Sequence, residues 1–136
     1  MAAPIYDMSG WPLCRVSWPL TMDDGELDAH WHYLDTLLLK GEPFAVLIDA
    51  REAARPSSRQ RQTMGRRTAQ NFQRYPLGIT GIALVLSSAI ERGVLTAINW
   101  LSGPAYPTRV FSTPEEAAIW LHGTMRARGA AASDSR

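Results

Sequence analysis

Apolar and polar positions change period several times along the chain, and each change marks an element. Leu13–Trp18 alternates, with Cys14, Val16 and Trp18 on one side and Leu13, Arg15 and Ser17 on the other. Period two predicts a strand with one drier face. Ile5-Tyr6-Asp7-Met8 reads as a short strand before it, and Ser9-Gly10 as a turn, so a hairpin is expected whose pairing Pro12 restricts. Pro19 ends the second strand. The period then becomes helical, as Leu27, Trp31, Leu34 and Leu38 recur three and four residues apart. Thr21 or Asp23 can cap this helix, and the acidic first turn of Asp23, Asp24 and Glu26 suits the positive end of its dipole. Gly41 suits the C-terminal cap.

Phe44-Ala45-Val46-Leu47-Ile48 is apolar without alternation. Parallel strands buried on both faces read this way. Asp49 closes the run, residues 51–58 form a loop punctuated by Pro56, and Met64, Thr68, Ala69 and Phe72 then give a narrow stripe that predicts a helix over 58–74. Ile79–Ser87 is a second buried strand. A helix is expected over Ala89–Ser102, with Ile90, Val94, Ile98 and Leu101 on one face and Gly103-Pro104 as its stop. Thr108–Phe111 is a short strand. Thr113-Pro114-Glu115-Glu116 is a capping box with proline at the first helical position, and Ala117, Trp120, Leu121 and Met125 make the buried stripe that follows. Residues 129–136 carry too little apolar surface to pack and are expected to be a flexible tail, leaving one domain over 1–128.

The order is β-β-α-β-α-β-α-β-α. Strands that alternate with helices predict an α/β fold, here a mixed but mostly parallel sheet of four to five strands with about four helices. The chain of 136 residues, 46% hydrophobic and 20% charged, suits one such domain with a core that needs neither metal nor disulfide. Cys14 stands alone, which fits a reducing compartment and a cytoplasmic location. The first residues lack the pattern of a signal peptide, and no apolar run reaches the roughly 20 residues of a membrane span.

Charge changes the picture only locally. The net charge is +1, yet residues 51–74 hold Arg51, Arg55, Arg59, Arg61, Arg66, Arg67 and Arg74 against Glu52 alone, seven minus one or +6. Such a face is either solvated or a surface for an acidic partner, since guanidinium pairs bidentately with carboxylate and phosphate. Nucleic acid ranks lower, because only Phe72 and Tyr75 lie near and stacking aromatics are not interleaved. Ser57 and Ser58 precede this helix. Serine there caps the helix, and the same free amides and dipole would stabilise a phosphate or another anion. Asp49 ends a central strand, but no nucleophile–base pair accompanies it, so an ion pair with Arg51 or a loop hydrogen bond is the expected role. His30, His32 and His122 are too scattered for a metal site, and no hydrolase, zinc or nucleotide motif occurs. No cofactor and no enzymatic activity are expected. Trp31, Trp100 and Trp120 default to core packing; with Tyr106 they are also candidates for an apolar pocket or a homodimer patch.

Four stretches, taken in order, carry a resemblance: Trp11–Trp18 with its W-P-L-x-x-V-x-W pattern, FAVLIDAR followed by a serine-bearing basic helix, IALVLSS leading into a helix that ends INWL, and VFSTPEEAAIWL. Together they resemble a SpoIIAA-like, STAS-type domain of the STAS/SEC14-like group, over roughly Ile5–Met125. The resemblance implies successive β-α turns around a mixed sheet. It also implies a role like that of the anti-sigma factor antagonists, which bind a partner kinase or regulator and release it when a serine at the start of the second helix is phosphorylated. That serine lies in an Asp-Ser-Ser-Gly sequence; here the place reads Pro56-Ser57-Ser58-Arg59, with the serine pair but neither the Asp nor the Gly. The expected function is a regulatory protein-interaction module acting through residues 51–74. The alternative is a binder of a small apolar or lipid-like ligand held between helices and sheet.

Overall fold

The computed structural model describes residues 3–93 and 105–134. In chain order these form β1 (Ile5–Asp7), β2 (Leu13–Ser17), α1 (Asp24–Leu39), β3 (Phe44–Asp49), α2 (Ser58–Arg74) and β4 (Ile79–Val85). A helix α3 follows, described over 89–93. Then come β5 (Thr108–Phe111) and α4 (Pro114–Asp134). The architecture is α/β, with one mixed five-stranded sheet in the spatial order β1-β2-β3-β4-β5. β1 runs antiparallel to β2, and the other three pairings are parallel.

The layers follow from that order. Each parallel connection moves one strand along the sheet in the same direction, and right-handed crossovers therefore put α1 and α2 on one face. Cys14, Val16, Phe44, Val46 and Ile48 point into that layer and meet Leu27, Trp31, Leu34, Leu37 and Leu38 of α1, while Met64 and Phe72 of α2 pack at its side. Leu13, Ala45, Leu47, Ala83 and Val85 point the other way, where Ala117 and Leu121 of α4 cover them. β3 thus buries both faces, which is why its sequence does not alternate. The pairing slips between Phe44 and Ala45, so Phe44 lies opposite Ile79 and Ala45 opposite Gly81. Gly81 is needed there: a Cβ would stand 3.1 Å from Thr124 and 3.2 Å from Leu121 of α4.

Local signals close the helices. Asp23 accepts from the Glu26 amide and Glu26 returns to the Asp23 amide, a full capping box. Gly41 follows α1 with φ 78°, the left-handed conformation that glycine adopts without strain. Thr113 Oγ1 accepts from the Glu116 amide at the start of α4.

Helical backbone continues through Asp134, into the stretch whose sequence predicts a tail; alanine is a strong helix former. One expectation changes. Ala69 is exposed, and Asn71 is the buried residue of α2, next to Phe72, which packs edge-on against Tyr106. The part of the expected Ala89–Ser102 helix beyond 93, with Trp100, lies outside the described residues.

Candidate functional site

The carboxyl ends of β2, β3 and β4 converge at one edge of the sheet, where α/β proteins commonly bind ligands. The Trp18 amide donates to Asp49 O (3.0 Å), and the Ala50 amide to Val85 O (3.0 Å), so the three strand ends are laced together. The loop leaving β3 is pinned by the Ala54 amide donating to Leu20 O (2.7 Å). Asp49 and Arg51 form a fork, with Nε to Oδ1 at 2.9 Å and Nη2 to Oδ2 at 2.8 Å. These hydrogen bonds hold the Asp49 carboxyl below its usual range. Asp49 is thus occupied with its own loop, as an ion pair would have it.

Ser57 caps α2. Its Oγ accepts from the Gln60 amide (3.1 Å), and Gln60 Oε1 accepts from the Ser57 amide (3.2 Å). Gln60 Nε2 also donates to Met22 O (3.1 Å), tying the start of α2 to the segment before α1. Ser58 Oγ accepts from Arg61 Nη2 (3.1 Å). Both serines are exposed.

The arginines divide by partner. Arg67 reaches across to α1, 2.9 Å from Asp28 and 3.7 Å from Asp35, and is structural. Arg51 is held by Asp49. Arg74 lies over the Tyr75 ring. Arg55, Arg59 and Arg66 are exposed and form no ion pair among the described residues. The +6 stretch therefore presents fewer free charges than it contains; Arg55 and Arg59 flank the start of α2, and Arg66 lies two turns along it.

Beside them opens an apolar cleft of about 220 Å³. Trp18, Met64, Leu84, Leu86 and Ile90 wall it, with Arg55, Arg61 and Glu91 as its charged residues. The aromatic residues expected to make a pocket do not share one. Trp31 is buried in the α1 layer and borders a separate hollow with Arg59. Tyr106 lies beneath the end of α2, its hydroxyl 2.6 Å from Tyr75 O and 3.0 Å from Asn71 O. Trp120 is across the sheet against Phe111, under the Arg109 guanidinium. Sheet topology separates them, and Trp100 lies outside the described residues. Arg55 and Arg61 were among the expected site residues; the apolar walls of the cleft were missed because they come from separate segments. Their one linear signal is position: Trp18, Ala50 and Leu86 each follow the last residue of a strand.

Behind the cleft, Trp18 belongs to a buried cluster with Tyr6, His30 and Trp31. His30 Nδ1 is 2.7 Å from the Tyr6 hydroxyl. The ring is 1% exposed, and burial lowers its pKa to about 4. Burial likewise pushes the Cys14 thiol up to about 11, and burial with the neighbouring Cys14 and Tyr33 pushes Tyr6 up to about 12. Trp18 Nε1, His30 Nε2 and Trp31 Nε1 are buried without a hydrogen-bond partner. His30 sits three residues after Leu27 and four before Leu34, so helical spacing could have placed it in the core. His32 is exposed and pairs with Asp28 at 3.3 Å. Among the described residues no group of His, Cys, Asp or Glu is arranged to hold a metal, and no helix is long and apolar enough to cross a membrane.

No family model, curated protein or solved structure matches the chain.

Proposed function

We propose that the chain is a non-enzymatic regulatory module of the STAS type that docks an acidic protein partner on the start of α2 and the loop before it. The observation that carries this reading is the exposed pair Arg55 and Arg59 beside a capped helix N-terminus, with exposed Arg66 two turns further along α2, none of them in an ion pair among the described residues. Charge of one sign held on a rigid helix steers an acidic partner and fixes its register. The sequential strand order supports the reading too, since the SpoIIAA-like resemblance implies successive β-α turns. Ser57 and Ser58 are the candidate switch: a phosphate on either would draw the neighbouring guanidiniums to itself and neutralise the surface.

Quantitative affinity capture with wild-type, Ser58→Asp and Arg55→Glu/Arg59→Glu baits tests this. A partner held by the wild type and lost by both variants is the expected result. Ser57→Asp adds a useful variant, because aspartate caps a helix as well as serine does and the fold survives. Undiminished capture by all three variants refutes the docking surface.

A further inference from the structure

From the cleft at the strand ends we infer that the protein has a small-molecule site for a monocarboxylate with a compact apolar body. The site is built from five places in the chain: the end of β2, the loop after β3, α2, the end of β4 and the start of α3. A cavity of about 150 Å³ accommodates benzene, so the 220 Å³ here suits a body of roughly nine non-hydrogen atoms. Trp18, Met64, Leu84 and Leu86 offer that body apolar walls.

The charge balance selects the head group. Among the described residues the cleft is lined by two guanidiniums, Arg55 and Arg61, and one carboxylate, Glu91, an excess of one positive charge that suits a monoanion. Arg55 forms no ion pair among the described residues, and the Arg61 guanidinium donates to Ser58 Oγ. Trp18, 8% exposed, closes the inner end of the cleft with its ring. A phosphate fits less well. The amides of Ala50, Ala53 and Ala54 already donate to Val85, Ala50 and Leu20, and the Glu91 amide donates to Ser88 Oγ. These four amides of the described cleft wall are thereby committed and are not available to cradle three oxygens. Paired guanidiniums match a planar carboxylate instead.

The test is an NMR titration of the full chain with 3-phenylpropanoate, its neutral amide 3-phenylpropanamide, and inorganic phosphate. The carboxylate is expected to shift the Trp18 indole and the amides of Leu86 and Ile90, with a Kd on the order of 1 mM or tighter. The amide is expected to bind about tenfold more weakly, the equivalent of one charge-assisted hydrogen bond. Arg55→Gln and Arg61→Gln, both exposed positions, reproduce that loss, whereas Glu91→Gln tightens binding. Absence of shifts at those residues, equal binding of carboxylate and amide, or a preference for phosphate each overturns the inference. The readout is binding to purified protein, so its failure leaves the partner surface on α2 untouched.

Discussion

Acid should weaken this fold through one side chain. His30 is buried between Tyr6, Trp18 and Trp31, and its pKa falls from 6.5 to about 4. In the unfolded chain the same imidazole takes up a proton near pH 6.5. Between pH 6.5 and about 4 the unfolded state therefore binds more protons than the folded one, and stability falls as the pH falls. Each pKa unit is worth 1.36 kcal/mol, so the full window amounts to about 3 kcal/mol, complete only below pH 4. The groups that face the ring do not offset this. Tyr6 and Cys14 stay neutral throughout the window, and Glu26, on the rim of the hollow beside His30, is committed to the α1 capping box. Urea unfolding of wild type and His30→Phe at pH 7.5 and 4.5 isolates the effect, because contributions from all other groups cancel in the comparison. With a urea slope of roughly 1–3 kcal/mol per molar, the wild-type midpoint should fall about 1–2 M further than that of the variant. His30→Phe should itself be weaker at pH 7.5 by about 1 kcal/mol, having lost the bond to Tyr6. Equal displacement of both midpoints, or an NMR titration of His30 in the folded protein near pH 6.5, refutes the reasoning.

Cys14, fully buried with its thiol pKa raised to about 11, should react with a disulfide reagent at least about a thousandfold more slowly in the folded protein than in urea; fast native labelling would contradict its burial. Gly81→Ala should cost about 1 kcal/mol in chemical unfolding, because the new methyl presses on the side chains of Thr124 and Leu121 of α4, which must shift by a few tenths of an ångström. Tyr106→Phe should cost about 1–2 kcal/mol, since its hydroxyl serves the carbonyls of Asn71 and Tyr75 at the end of α2; hydrogen exchange should then rise first in the last turn of that helix.

What could be read in the sequence was whatever depends on neighbours along the chain. The alternation of Leu13–Trp18, the unbroken apolar run from Phe44 and the caps at Asp23, Ser57 and Thr113 are local, and local geometry follows from them. What depends on which segments meet was hidden. Arg67 looked like one more surface charge until α1 brought Asp28 and Asp35 beside it. Trp31, Tyr106 and Trp120 looked like one aromatic set, and the sheet distributes them to different sites and opposite faces. The cleft has no motif, because its walls come from three strand ends, the loop after β3 and two helices, which only the fold brings together.

The two faces of the sheet have different histories during synthesis. α1 and α2 lie between the strands in sequence, so their layer can assemble as the strands emerge. The opposite face, with Leu13, Ala45, Leu47, Ala83 and Val85, waits for α4, which is made after all five strands. At ribosomal rates of roughly 5–20 residues per second, that apolar strip is bare for on the order of seconds in every nascent chain. A stalled or truncated product lacking α4 would keep it bare, and such a product is the natural client of a holdase chaperone or the seed of an aggregate.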